Sequence, residues 1–332
     1  MAAADTAMLQ KFAPIFVLDK NEPYWPCSIG DYIRNCRVVS TADHKQVILE
    51  NVTDPMQIMK FDSPSATLQL KTDDKGRRQG IRNRARYPGQ LEVYGYERLL
   101  RYTAPDGSDG TTAYDLAYVM WFAYNGTKAP HVSDREFVVI RVRDDKPVAV
   151  YFSNHDGGYW KKWNDVQTRD GRLLAYVSRE SHAMYHNPGK HWRLLGFAND
   201  PNVPGEELTP ARYKLVRWTK TPKDKPWVTW RGGRGAGFDD RPMLVDGQLA
   251  VTNKTITVTD YPGLVNTKMS VGLKYALAVG FAVLILAAVG MGIGFKKPWI
   301  VLLALPPTVG ATLMWVILTA SVDVISRGGV WV

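Results

Sequence analysis

The feature that most constrains this chain is a long apolar stretch near its C-terminus. From Tyr275 to Phe295 the sequence contains no charged residue. At about 1.5 Å of rise per residue, a helix of this length spans roughly 30 Å, which is the thickness of the hydrocarbon layer of a bilayer. The stretch therefore predicts a transmembrane helix.

Two lysines, Lys296 and Lys297, follow this stretch, and a second apolar run extends from Trp299 to Val322. Each lysine would cost roughly 3 kcal/mol at the centre of a bilayer, whereas at a turn both reach the headgroups. We therefore expect a helical hairpin over residues 275–322, with a lipid bilayer as one partner. It follows a folded domain over residues 1–265 and a connector over 266–274, and it precedes a tail over 323–332.

The charge balance and the N-terminus bear on where the folded domain lies. The formal net charge is +10, which favours contact with anionic lipid, nucleic acid or an acidic protein. The first residues lack a charged start followed by an apolar run, so no secretory signal is indicated. We expect the domain on the cytosolic side of the membrane, with the virion as the alternative location.

Residues 1–265 show the pattern of a mainly β protein. Short runs rich in Val, Ile, Tyr, Phe and Trp alternate with turn signals. The predicted strands are Thr112–Phe122, Glu136–Arg143, Pro147–Ser153, Arg172–Val177 and Tyr213–Trp218, and one short helix is predicted over Ser28–Cys36. Many short strands with regular turns favour an antiparallel β-sandwich. The glycine-rich residues 231–242 are interpreted as a linker or a docking loop.

A basic cluster lies within twelve residues of the folded domain. Its members are Lys75, Arg77, Arg78, Arg82, Arg84 and Arg86. One interpretation is a patch for acidic headgroups or an acidic partner, and the other is a solvated loop. No aromatic residues interleave with these side chains as a stacking platform would require, which argues against nucleic acid.

The segment from His131 to Glu136 carries the residues with the most chemistry. It opens a predicted strand, so Asp134 and Glu136 share one face with Val138 and Ile140. Two carboxylates half removed from water need a cation or a basic partner. Oxygen ligands with one or two histidines suit Mg²⁺, Ca²⁺, Mn²⁺ or Zn²⁺. The alternative is a metal-free network of ion pairs and hydrogen bonds with Arg135 or Arg141.

Two further segments bring polar side chains that we expect to converge on the same place. They are Ser153–Gly158, at the end of the next strand, and Ser181–His186, after the strand that ends at Ser178. Each contains a serine near a histidine, so a hydrolase is one hypothesis, with His155 or His182 as the base. Adjacent residues rarely give productive geometry, and no nucleophile elbow is present, so we expect no enzyme.

The quoted motifs resemble those of the vacuolar protein sorting-associated protein 62 family. The resemblance rests on Ala13–Ile29, Tyr118–Gly126, His131–Glu136, Ala149–Gly158 and Ala175–Gly189, which keep the family's order. The His-x-x-Asp-x-Glu piece also resembles the metal-binding heptapeptide of necrosis-inducing cytolysins, which are β-sandwiches. Arg135 stands where both families usually have Trp.

The likeness to the cytolysins implies one divalent metal ion. Its expected ligands are His131, Asp134 and Glu136, with His155 beside them. Asn125, Asp156 and His182 are expected just outside the ligands. An arginine between the two carboxylates, Arg135, is the residue that could replace the metal.

Three functional hypotheses follow from these features. The first is a non-enzymatic scaffold or tether, which binds other proteins of a membrane-associated assembly through its sandwich. One form of it is a minor structural protein of a large virus that links an internal membrane to capsid proteins. The second is a metal-dependent protein that binds lipid or glycan headgroups. The third is the hydrolase.

Overall fold

A computed structural model describes residues 4–71, 91–103, 109–126, 131–154, 157–191, 199–217, 230–235, 239–242 and 256–258. The predicted basic cluster, His155, Asp156 and the apolar segment over 275–322 lie outside these ranges. Within them, no helix has the length and apolar character needed to cross a membrane.

The described residues form two short α-helices, short 3-10 turns and many strands. The helices are α1 (Ala4–Lys11) and α2 (Ile29–Arg34). The strands are β1 (Ile15–Asp19), β2 (Cys36–Ser40), β3 (Val47–Leu49), β4 (Ala66–Leu70), β5 (Glu92–Thr103), β6 (Asp109–Asn125), β7 (His131–Arg143), β8 (Lys146–Asn154), β9 (Gly157–Lys162), β10 (Thr168–Arg169), β11 (Arg172–Val177), β12 (Met184–Tyr185), β13 (Gly189–His191), β14 (Asp200–Asn202), β15 (Pro204–Leu208), β16 (Lys214–Arg217), β17 (Gly233–Gly235), β18 (Asp239–Pro242) and β19 (Ile256–Val258). The mainly β prediction is confirmed.

The long strands form a central sheet in the order β16-β5-β6-β7-β8-β9, with β19 also on β5. Strands β5 to β9 run antiparallel to one another, as the sequence predicts. The antiparallel prediction does not hold for every sheet, because β16 and β19 pair with β5 in parallel and β1 pairs with β11 in parallel. These pairs join segments far apart in sequence, which local turn signals do not reveal.

The central sheet is covered on both of its faces. Alternate residues of its strands, such as Trp121 and Val139, pack with α2 and with the sheet formed by β2 and β4. The intervening residues, such as Phe122 and Val138, pack with α1 and with the sheet formed by β1, β11 and β15. Period-two alternation sends successive side chains to opposite faces, so apolar residues on both parities give three layers.

A tight turn lies between β7 and β8. Asp144 and Asp145 both have positive φ, 48° and 57°, and they connect β7 to β8 as a two-residue hairpin turn. The glycine-rich segment differs from its interpretation as a linker. Residues of β17 and β18 pair with each other, and Gly233 pairs with Thr67 of β4, so the segment extends the outer sheet.

Candidate functional site

Polar side chains gather at one end of the central sheet, where β6 ends, β7 begins and β8 ends. We call this group the polar end, and its members are Asn125, His131, Asp134, Glu136 and Ser153. The antiparallel register sets Asn125 opposite His131 and Phe122 opposite Asp134. Hairpin pairing therefore brings together residues that the sequence separates by a loop or by a whole strand.

Asp134 is the centre of the polar end. Its Oδ2 accepts a hydrogen bond from Asn125 Nδ2 at 2.9 Å and lies 2.8 Å from Nδ1 of His182. Its Oδ1 accepts the backbone N–H of Arg135 at 2.9 Å. Burial alone raises the pKa of Asp134, but the contacts with His131 and His182 and their positive charges outweigh burial and hold this pKa well below its ordinary value.

His182 is buried completely and faces two carboxylates. Its Nδ1 contacts Asp134, and its Nε2 lies 3.5 Å from Oε1 of Glu22. The imidazole stacks on Phe122 with ring centroids 3.7 Å apart and an interplanar angle of 7°. Burial lowers the pKa of His182, but the charge of Glu22 and the contacts with both carboxylates raise it to about 9. His182 is therefore an imidazolium at neutral pH.

Glu22 follows β1 and is held by the backbone around it. Its Oε1 accepts the N–H of Tyr24 and its Oε2 accepts the N–H of Glu180, both at 2.8 Å. Its side chain is 1% exposed. Glu22 thus joins the segment after β1 to the loop after β11. We call the arrangement of Glu22, His182 and Asp134 the histidine bridge.

Backbone strain is concentrated around the histidine bridge. Ser133, Glu180 and His182 have positive φ values of 65°, 64° and 58°. Non-glycine residues seldom adopt this conformation, which costs roughly 1–3 kcal/mol each and tends to occur at functional sites. The strained backbone lowers the local stability of this region, and it holds these side chains in one particular arrangement.

Glu136 and Ser153 form a second contact at the polar end. The hydroxyl of Ser153 donates to Oε2 of Glu136 and accepts the N–H of Phe137 at 2.7 Å. The serine therefore ties the start of β7 to the end of β8. As the sequence predicts, Glu136 shares a face with Asp134, since Val138 and Ile140 pack into the same core.

His131 lies at the mouth of the polar end. Its Nε2 is 3.7 Å from Oδ1 of Asp134, and its side chain is 17% exposed. Deeper down, the hydroxyl oxygens of Ser133, Ser178 and Ser181 are buried without a hydrogen-bond partner among the described residues. Buried hydroxyls of this kind commonly bind ordered water.

Of the two arginines proposed for a metal-free network, Arg141 lies elsewhere. It pairs with Asp115 on the opposite face of the central sheet, with Nε–Oδ1 and Nη2–Oδ2 distances of 2.8 Å and 3.1 Å. It is thus too far along the strand, and on the wrong face, to reach Asp134. Arg135 donates its backbone N–H to Asp134, and the ring of His182 faces the same carboxylate.

The predicted metal ligands come together only in part. His131 and Asp134 are close, Glu136 is bound by Ser153, and His155 lies outside the described residues. No group of three His, Cys, Asp or Glu side chains within the described ranges is arranged to hold a metal ion. Oδ2 of Asp134 is contacted by both Asn125 Nδ2 and His182 Nδ1, so neither of its lone pairs is open to a metal ion. The described residues therefore do not fit a divalent ion.

The segments named beside the ligands also separate. His182 and Asn125 contact Asp134, whereas His186 lies apart, with its Nδ1 2.9 Å from the hydroxyl of Tyr159. Asp156 is outside the described ranges. Glu22 is not predicted from the sequence. It lies three residues after the apolar strand Ile15–Asp19, and nothing in the neighbouring residues marks it as buried.

The comparisons agree with the resemblance expected from the motifs. The model of the vacuolar protein sorting-associated protein 62 family matches residues 112–199. This segment contains the polar end and His182 but not Glu22. The chain is similar to that family over this segment. No curated protein matches the sequence significantly.

Several solved structures match part of this chain at low identity. NLPPya in complex with glucosamine is 14% identical, with a TM-score of 0.33, and the match covers 65% of this chain and 74% of that one. Necrosis and Ethylene inducing Protein 2, from the causal agent of cocoa's Witches Broom disease, is 15% identical with a TM-score of 0.34, over 70% and 82% of the two chains. Likeness at this level extends to the β-rich fold and no further.

Proposed function

We propose that this chain is a non-enzymatic docking protein that binds a partner at the polar end and is held to a membrane by residues 275–322. The observation that carries the docking role is the gathering of three buried carboxylates, Glu22, Asp134 and Glu136, at an end of the sheet that opens at His131. Buried ions cost several kcal/mol of desolvation, which apolar packing would avoid. A binding role accounts for that cost.

The charges of the polar end indicate the chemistry of the partner. One imidazolium, His182, faces two carboxylates, and Glu136 adds a third acidic group. The excess of negative charge favours a basic side chain or segment. We propose that it belongs to another protein of a membrane-associated assembly, on the cytosolic side or, as the alternative, between an internal viral membrane and a capsid.

The contacts of the candidate nucleophiles support binding rather than hydrolysis. The hydroxyl of Ser153 is engaged by Glu136 and by the N–H of Phe137. The ring of His182 faces carboxylates through both nitrogens, so neither nitrogen serves as a base for Ser181. The metal-dependent headgroup binder has less support, since the described ligands do not converge.

The docking role is tested by cross-linking in native membranes. A photoreactive p-benzoylphenylalanine in place of Asn154, at the end of β8, is expected to give one discrete adduct, which Asp134→Asn weakens. The control carries the same group in place of Lys45, which is exposed in the turn between β2 and β3. Equal adducts from both positions would contradict docking at the polar end.

The membrane role is tested separately by alkaline carbonate extraction of the full chain. Leu286 lies at the middle of the first apolar stretch, where an arginine costs roughly 3 kcal/mol on insertion. Leu286→Arg is expected to move the chain into the wash, while Leu286→Ala stays in the pellet. A wild-type chain released by carbonate would rule out the anchor.

A further inference from the structure

We propose that His182 takes the place of a divalent cation at the polar end, so that its ring holds Asp134 and Glu22 together and the site needs no metal. The inference concerns how the site is held and not what docks there. It therefore stands or falls separately from the docking role.

Asp134 has little capacity left for a metal ion. Its Oδ2 is contacted by Asn125 Nδ2 and His182 Nδ1, and its Oδ1 accepts the N–H of Arg135 and lies 3.7 Å from His131 Nε2. A carboxylate offers about four lone-pair sites, two on each oxygen. A cation bound at Oδ2 would have to displace Asn125 or His182.

Glu22 is oriented towards the ring of His182. Two backbone N–H groups, from Tyr24 and Glu180, fix both of its oxygens. Oε1 then lies 3.5 Å from Nε2. A neutral nitrogen would present a lone pair to a buried carboxylate, which is repulsive, whereas N–H gives attraction at the same distance.

The surroundings of the ring also favour a cation. His182 stacks on Phe122 with ring centroids 3.7 Å apart. The face of an aromatic ring stabilises a cation, and more so when water is excluded. A positive ring is thus favoured on one face by Phe122 and at its edge by the two carboxylates.

The consequence is mechanical. The histidine bridge joins the start of β7, the segment after β1 and the loop after β11, which are distant in sequence. The loop is also joined to β6, because the N–H of Gly126 donates to the carbonyl of Glu180 at 3.0 Å. A metal ion that bridges two carboxylates would join these segments in the same way. A buried imidazolium joins them without a bound metal ion.

The experiment measures thermal unfolding of the purified full chain with chelator and with Mg²⁺, Ca²⁺, Mn²⁺ or Zn²⁺. The melting temperature of the wild type is expected to be the same in all conditions. His182→Ala is expected to lower it by about 6 °C or more, since one partner of a buried charge group is lost. In this variant a divalent ion is expected to restore part of the loss, because two carboxylates then face an empty space.

His191→Ala is the matched control. His191 also stacks on an aromatic ring, that of Tyr185, at 3.5 Å and 1°, but it lies outside the bridge. Its melting temperature is expected to show no response to divalent ions. If His182→Ala does not fold, His182→Gln and calorimetric titration of the wild type with each ion replace it. Stoichiometric binding of an ion by the wild type, or its destabilisation by chelator, would overturn the proposal.

Discussion

Two buried groups of ions in the described part of the domain are built in different ways. In the middle of the central sheet, Arg141 and Asp115 stand directly opposite each other on neighbouring strands. At its end, Glu22, His182 and Asp134 come from three segments that are far apart in the chain. The first pair is part of a regular ladder, whereas the second group exists only once the whole domain has assembled.

The backbone shows the same difference. Neither Arg141 nor Asp115 has positive φ, and the guanidinium of Arg141 packs over Trp160 at 4.5 Å. Around the histidine bridge, three residues are held in the left-handed region. The central pair therefore behaves as an element of packing. The bridge carries strain that packing alone does not require, which is the pattern of a site.

The largest expected effect comes from breaking the central pair. Arg141→Met leaves Asp115 charged and buried without its bidentate partner, and we expect a loss of about 3–5 kcal/mol in the free energy of unfolding. Urea denaturation of the full chain measures it. Arg141→Met combined with Asp115→Leu is expected to recover most of the loss. A double variant no more stable than the single one would mean that the pair is not a self-contained unit.

A smaller effect is expected from Glu22→Gln. The amide keeps the shape of the side chain but removes the charge that faces His182, so we expect a loss of about 2 kcal/mol. Glu180→Gln is the matched control, because the contact with Glu22 uses the backbone N–H of Glu180 and not its side chain. This control is expected to stay within about 0.5 kcal/mol of the wild type. Equal losses in both variants would argue against a specific role for Glu22.

The contrast between the two groups also explains what the sequence could reveal. Strands β6, β7 and β8, their turns, and the shared face of Asp134 and Glu136 follow from local alternation, which fixes side-chain direction with period two. The same alternation already places Arg141 on the opposite face, since it differs from Asp134 by an odd number of positions. The odd spacing between Asp134 and Arg141 therefore excludes Arg141 from the proposed network.

The histidine bridge could not be found in this way. Glu22 reaches His182 only because β1 pairs with β11 in parallel, with Val17 opposite Tyr176. Nothing in the local sequence of either strand encodes that pairing. The second cover on the central sheet has the same origin, since β2, β4 and α2 are joined to it by packing and not by chain continuity.

The pH dependence of stability separates the two groups further. His182 has an ordinary pKa of 6.5 that the fold raises to about 9. Its contribution is therefore complete below pH 6.5 and is lost as the pH rises through about 9. Asp134 has a lowered pKa, so its contribution is lost as the pH falls below its ordinary value of 3.8. We expect urea midpoints to be constant between about pH 4 and pH 6.5 and to fall as the pH rises from there to about 9. In His182→Gln the alkaline decline should disappear, while in Arg141→Met it should remain.

The smallest effect on stability is expected at the mouth of the polar end. His131 is partly exposed, and its contact with Asp134, at 3.7 Å, is longer than a hydrogen bond. We expect His131→Ala to change the free energy of unfolding by less than about 0.5 kcal/mol, as is usual for side chains near the surface. The docking proposal nevertheless requires that this variant lose partner binding. Urea denaturation and cross-linking from a neighbouring rim position, Asn154, measure the two properties on the same protein. A variant with a clearly lower urea midpoint would indicate that His131 has a structural role. A variant that still cross-links fully would argue against a role of His131 in docking.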